Sequence, residues 1–506
     1  MRASTDDGGE RNSIILMVMT LCSRLLGIIK ARVISSVFGA GALADSINYA
    51  YTIPNNLRKL FAEGALSQAY LPLMGKDNGK EESTFISQLL SFQTLLFIPL
   101  IALTFIFSDR FITVASGFTD RMQIETASAL LPFFLIFLFF ISLSTVFSCA
   151  LQVRKSFFIT GAGPIFFTLT VIVCVLCLSE KASYYSMAVG TVAGAAAQLL
   201  SQYAVLSKYG LKLRFTLSFR TPLFTKMIKA FLPATVYSLI LVADQYISFY
   251  LASGLEAGAV SAITNSVIFY QTPYGIFFSS IAGVYFPLLS ACSDSDKRNE
   301  TLIKALSYLA AFLLPSTIIM LTLSEECIAV VLQKGAFTYE NTVLTAKVLK
   351  YYLLAMVPLS FSSMLSRYCY SRGDYIYPVI VSAVNLITDV CAMKLFIMKG
   401  FGAGSISLAL LISTCVSLIM YAVKLRTFDY PRLLGKLAHI AVANLPLLIV
   451  SAVYSLFDVK YHQGGSTLKS FLLAAFTGLA AVAVTGISYM VFRVPFLEVF
   501  RRKRGK

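Results

Sequence analysis

The sequence predicts an all-α polytopic membrane protein of about fourteen transmembrane helices, arranged as two six-helix lobes followed by a C-terminal helix pair. Three observations lead there. Mean hydropathy is +0.76, with 57% hydrophobic and only 13% charged residues, far outside the soluble range. Apolar windows of spanning length recur along all 506 residues. Local patterns in the first six windows return at equivalent places in the next six.

The N-terminal residues 1–12 are polar and mixed in charge, and no small-residue cleavage site follows, so the first span is read as uncleaved. That span, Ser13 to Gly39, carries Arg24 near its middle and Lys30 and Arg32 towards its end. An ionised group at mid-bilayer costs roughly 2.5–3.5 kcal/mol and is kept only where it faces protein or a watery cavity. Arg24 is therefore a candidate site residue.

The second span bears a polar ladder at helical three- or four-residue steps: Asp45, Asn48, Thr52, Asn55, Lys59 and Glu63, with Arg58 beside it. Such a stripe cannot face lipid, and Pro54 within it frees backbone groups that water or neighbouring helices must satisfy. A cavity wall fits these features; an amphipathic helix lying on the membrane surface is the alternative.

Four further spans are expected at Thr84–Phe107, Ile124–Leu151, Phe158–Leu178 and Tyr184–Leu206. A basic stretch from Lys208 to Lys229 then divides the chain into lobes 1–207 and 208–426. The second lobe holds windows at Met227–Leu251, Ala257–Leu289, Thr301–Leu323, Val343–Tyr370, Tyr377–Met398 and Ala403–Val423. Residues 427–506 supply two last spans, Leu434–Leu456 and Leu468–Val491, and the tail RRKRGK. Asp244, inside the seventh span, is a candidate ion or proton site, with a satisfied interhelical hydrogen bond as the alternative.

Several chemistries are excluded. The nine cysteines mostly sit singly in apolar runs, as small hydrophobes. Cys174 and Cys177 form a C-x-x-C without a second pair or a nearby His, and His439 and His462 lie apart, so neither metal site nor cofactor is expected. No hydrolytic or redox constellation marks an enzyme. The net charge of +17 reflects topology and anionic headgroups rather than nucleic acid, because zinc spacing, arginine-glycine tracts and stacking motifs are lacking. Lys and Arg crowd one side of the spans (Arg154, Lys208 to Lys229, Lys297, Arg298, Arg372, Arg426, Arg432 and the tail). That asymmetry predicts cytoplasmic termini in a bacterial cytoplasmic membrane.

The duplication rests on small matches. Tyr70-Leu-Pro-Leu73 closes the second span and Tyr285-Phe-Pro-Leu288 the eighth, each after a mid-span proline, Pro54 or Pro273, and Lys155 and Arg372 occupy equivalent short aromatic loops. A parallel repeat of this kind puts a substrate cavity between its halves.

Several blocks resemble the MurJ (MviN) family of lipid II flippases, within the multidrug/oligosaccharidyl-lipid/polysaccharide exporter superfamily. The most specific is Pro54-Asn-Asn-Leu-Arg-Lys-Leu-Phe-Ala-Glu-Gly-Ala65; with it come Ser23-Arg-Leu-Leu-Gly27, Phe38-Gly-Ala-Gly41, Leu251-Ala-Ser-Gly254, Phe286-Pro-Leu-Leu-Ser290, Gly335-Ala-Phe-Thr338 and Tyr370-Ser-Arg-Gly-Asp374. They follow family order and cover nearly the whole chain. The resemblance implies alternating-access transport of undecaprenyl-pyrophosphate-linked disaccharide-pentapeptide, coupled to a monovalent cation or proton, with the last two helices forming a groove for the lipid tail. It implies that Arg24 and Arg58 line the cavity, and it gives Asp45 and Glu63 family positions. Two departures stand out. Lys30-Ala31 replaces an arginine and an acid, and Ile268 stands where the eighth helix usually carries arginine, five residues before Pro273. The alternatives are an exporter of another lipid-linked oligosaccharide or of a cationic drug, and a non-transporting membrane scaffold.

Overall fold

The computed structural model describes residues 4–61, 70, 79–154, 156–211, 213–292, 294–426, 428–457 and 467–494. Glu63, Lys155, His462, the Leu71–Leu73 stretch and the Lys59 side chain lie outside what is described. Among the described residues the structure consists of α-helices joined by turns and short loops, with no strand. A bilayer enforces this, since helices satisfy every backbone polar group within the segment.

The helices run α1 (Ser4–Phe38), α2 (Ala42–Phe61), α3 (Gly79–Ala115), α4 (Arg121–Val153), α5 (Phe157–Ala182), α6 (Tyr185–Leu206) and α7 (Pro222–Ser253). They continue as α8 (Ala259–Ala291), α9 (Ser295–Thr322), α10 (Ser324–Leu332), α11 (Tyr339–Ser371), α12 (Ile376–Met398), α13 (Gly404–Lys424), α14 (Tyr430–Ala443), α15 (Leu445–Phe457) and α16 (Thr467–Val491). Eleven membrane-length apolar segments occur among the described residues, with α14 and α15 counted as one. Three more helices have spanning length, α1, α2 and α7, at 35, 20 and 32 residues. The polar ladder of α2 lowers its hydropathy.

Boundaries follow local chemistry. Thr221 caps α7, its hydroxyl accepting from Phe224 N at 3.3 Å with Pro222 at the first turn, so this helix starts five residues before the apolar window. The short α10 lies between two of the expected windows, Thr301–Leu323 and Val343–Tyr370. The thirteenth window splits at Asn444, because Pro446 has no N–H for the Val442 carbonyl and its ring crowds that turn. Asn444 Nδ2 donates to Ile440 O at 2.8 Å and so holds the end of α14.

Packing groups the chain into two compact units, residues 1–260 with 334–337, and residues 261–333 with 338–506. By this measure α7 belongs with α1–α6 rather than with the second lobe read from the sequence. Its C-terminal half is fastened there: Tyr246 Oη donates to Ala115 O at 3.0 Å, Gly117 N to Ser253 Oγ at 2.7 Å, and Gly258 N to Asp45 Oδ2 at 2.7 Å. Residues 334–337 join the same unit. Ala336 N donates to Ser36 O at 2.9 Å, and both partners' neighbours are positive-φ glycines, Gly39 at +69° and Gly335 at +62°. A Cβ on Gly39 would lie 2.7 Å from Ala336 O, and one on Gly335 would run into the Ser36 carbonyl.

The first unit's core combines Phe85, Ile86, Leu89, Phe147, Leu151 and Phe224 with a buried network in which Ser144 donates to Gln202 at 2.7 Å and Gln202 to Ser148 at 2.8 Å. In the second unit, Phe278, Leu302, Leu306, Met356, Met364 and Tyr421 form the main core.

Candidate functional site

The candidate side chains of the first unit come from α1, α2 and α7. Arg24 is exposed on α1. Lys30, almost two turns later, is half-buried, its ammonium 5.4 Å from the Phe167 ring centroid and 6.0 Å from that of Tyr51. Tyr51 meets Phe134 edge-on at 5.4 Å and Phe137 at 5.6 Å, and Phe137 meets Phe167 at 5.4 Å. Rings from α2, α4 and α5 thus form one wall against which the ammonium rests. Among the described residues, no carboxylate lies within ion-pair distance of Arg24 or Lys30. An aromatic face attracts an ammonium without cancelling its charge.

The described part of the ladder on α2 is buried or half-buried: Asp45 is 2% exposed and Thr52 9%, while Asn48, Asn55 and Arg58 are half-buried. Ile47, Tyr49 and Ala50 on its other side are also buried, so α2 is not a helix lying on a surface. Asp45 has a structural task. It sits in the first turn of α2, where a carboxylate is favoured by the helix dipole, and accepts from Gly258 N just before α8. Asp244 is half-buried on α7, and its carbonyl accepts from Ser248 Oγ at 2.8 Å.

Three polar features escaped the sequence reading. Arg154, counted there only as a topology signal, makes a two-pronged pair with Glu82 at 2.6 and 2.8 Å, with both side chains largely buried. In the second unit, Arg367 lies 4.7 Å above the Phe278 ring. Asp389 on α12 is 2% exposed and accepts from Ser413 Oγ of α13 at 3.0 Å; one turn away Asn385 accepts from Ser417 Oγ at 3.0 Å. A carboxylate, an amide oxygen and hydroxyls gathered inside a membrane bundle can hold a proton or a hard monovalent cation. The signal was present, a lone Asp in an apolar window.

A helical bundle with eleven membrane-length apolar segments among its described residues is that of a polytopic membrane protein. Its fold is that of the MOP superfamily. An inward-facing structure of a multidrug resistance MATE family transporter of that superfamily matches with a TM-score of 0.66 and 13% identity, covering 84% of this chain and 98% of that one. Within that class the chain belongs to the lipid II flippase MurJ family, whose model matches residues 34–476. Arg58, Asp45 and Asp244 lie inside that stretch, and Arg24 and Lys30 precede it. The Borreliella burgdorferi protein named "Probable lipid II flippase MurJ" is 29% identical over 501 residues, covering 97% of this chain and 98% of that protein. A solved structure titled "Lipid II flippase MurJ, inward closed conformation" matches with a TM-score of 0.79 and 23% identity, over 96% of this chain and 99% of that one. The chain is a multi-pass membrane protein of this family.

Proposed function

We propose that this protein carries undecaprenyl-pyrophosphate-linked disaccharide-pentapeptide from the cytoplasmic to the periplasmic leaflet of the bacterial cytoplasmic membrane by alternating access. The observation that carries the reading, beside family membership, is the pair of cations on α1, Arg24 and Lys30, without ion-pair partners among the described residues. A pyrophosphate entering a low-dielectric path needs donors that replace its water, and arginine presents a planar fork suited to phosphate oxygens. Arg24, Lys30, Arg58 and Lys59 take that role, and Glu63 belongs to the same proposed substrate-binding set. Asp45 acts by fixing the start of α2. Coupling to a proton or monovalent cation runs through Asp244, or through Asp389 with the oxygens of Ser413 and of the neighbouring Asn385–Ser417 pair. The chain crosses the membrane fourteen times with both termini cytoplasmic, as duplicated lobes 1–207 and 208–426, and residues 427–506 receive the prenyl tail.

Ile268 favours a second reading. Without the eighth-helix arginine, the second lobe has less positive charge, which suits a different lipid-linked oligosaccharide. Depleting the protein and measuring which lipid-linked precursor accumulates on the cytoplasmic leaflet separates the two. Accumulation of the peptidoglycan precursor supports the first, and accumulation of another lipid-linked glycan supports the second.

A further inference from the structure

A cavity of about 500 Å³ lies in the second unit between α9, α14 and the residues after α16. Its size falls within the ~300–1,000 Å³ typical of small-ligand sites. Its polarity is graded along the helix axes. Lys304, Arg432 and Lys436 stand at one end, and Ala311, Ile440 and Val494 line the other, two turns further along. The apolar end is well packed, with those three residues 2%, 3% and 6% exposed. Among the described residues Glu300 is the acid within ion-pair distance of these cations, 3.0 Å from Lys304 and 4.0 Å from Arg432. Positive charge is therefore in excess around the cavity, and its mutual repulsion is relieved by an anion.

The walls are fixed independently of any ligand. His439 Nε2 donates to Phe492 O at 2.7 Å, and Tyr489 Oη donates to Ala311 O at 2.7 Å, tying α14, α16 and α9 together. Arg493 adopts φ of +52°, and Val494 N returns to Tyr489 O at 2.9 Å, which turns Val494 into the cavity. A non-glycine residue held in the left-handed region is strained and needs surrounding contacts to persist.

We propose that this cavity binds an anionic phospholipid of the bilayer, with its phosphodiester among Lys304, Arg432 and Lys436 and its glycerol and upper chains along Ala311, Ile440 and Val494. Charge complementarity and graded polarity select this occupant. The sequence of residues 495–506 carries five cations and one acid, Glu498, a balance that does not complement a basic cavity. Leu434, at 60% exposed, and Met490, at 65%, flank the cavity with surface suited to lipid chains. Bound lipid staples α14 to α9.

The test is native mass spectrometry of the full chain released from detergent carrying phosphatidylglycerol or phosphatidylcholine. Wild type should retain phosphatidylglycerol in preference. The Lys304→Gln, Arg432→Gln, Lys436→Gln variant should bind it at least about ten-fold more weakly, because charge-assisted phosphate contacts are lost. A control with the same charge change, Lys208→Gln, Arg214→Gln, Arg220→Gln, should bind like wild type. Unchanged phosphatidylcholine retention and a monodisperse elution report that each variant is folded; if the triple variant fails these, Lys304→Gln alone is measured and should show the same direction. Equal weakening in the control, or none in the cavity variant, overturns the proposal. Displacement of the lipid by equimolar inorganic phosphate would also overturn it, showing a phosphate site that does not use the chains.

Discussion

Arg24 stands out in the sequence because a guanidinium inside an apolar run has few explanations, and it is exposed on α1. The part played by Asp45 was not legible there, since its partner, Gly258, lies 213 residues away. The rings around Lys30 come from three other helices, and only packing brings them together. If those rings hold the ammonium, Tyr51→Leu should weaken transport while Tyr51→Phe preserves it, the loss corresponding to about 0.5–2 kcal/mol of cation–π attraction. Rates of precursor flipping in proteoliposomes check this, and equal rates for Leu and Phe would remove the rings from the account. Ile268→Arg should be tolerated or helpful, since it adds a fork for the same anion, and growth of a flippase-depleted strain measures it.

Among the elements, helix windows were read correctly wherever apolar length decided them, but breaks and joins depend on backbone partners. Pro446 was a visible signal for the division of α14 from α15, overridden in the reading by uninterrupted hydropathy. The clasp between Ser36 and Ala336 had no signature beyond glycines. Replacing Gly335 by Ala should destabilise the protein by about 1–3 kcal/mol through a strained φ and a carbonyl collision, seen as a lower midpoint of thermal unfolding in detergent. Asp374, in the loop before α12, accepts from Tyr377 N at 3.1 Å and pairs with Lys424 at 3.4 Å. The Tyr377 N–H first, and Lys424 next, hold its carboxyl below the usual carboxylate range. A lowered folded value means this cap contributes fully above the ordinary carboxylate pKa and is lost as pH falls through the folded value. Asp374→Ala should therefore lower the unfolding midpoint at pH 7 and lose that effect in acid, once pH falls through the lowered value of this carboxyl. An equal difference at pH 7 and in acid would refute the assignment.

At the scale of the whole molecule, hydropathy and a weak internal repeat were enough for fold class, while the grouping of α7 with α1–α6 came from contacts no sequence period encodes. Reporter fusions at Gly254 and Lys399 should read periplasmic and one at Arg426 cytoplasmic. A chain ending before Leu434 should insert but fail with long-prenyl cargo. The central claim is that first-unit cations carry an anionic precursor, and the most direct measurement is rescue of a strain depleted of its own precursor flippase, with membrane levels verified by blot. Losing one charge-assisted phosphate contact, worth roughly 1.5–3 kcal/mol, should weaken precursor binding by about ten- to a hundred-fold. Wild type should restore growth, Arg24→Lys should restore it poorly, and the Arg24→Ala, Arg58→Ala double variant should fail although it inserts. Full rescue by the double variant would contradict the account.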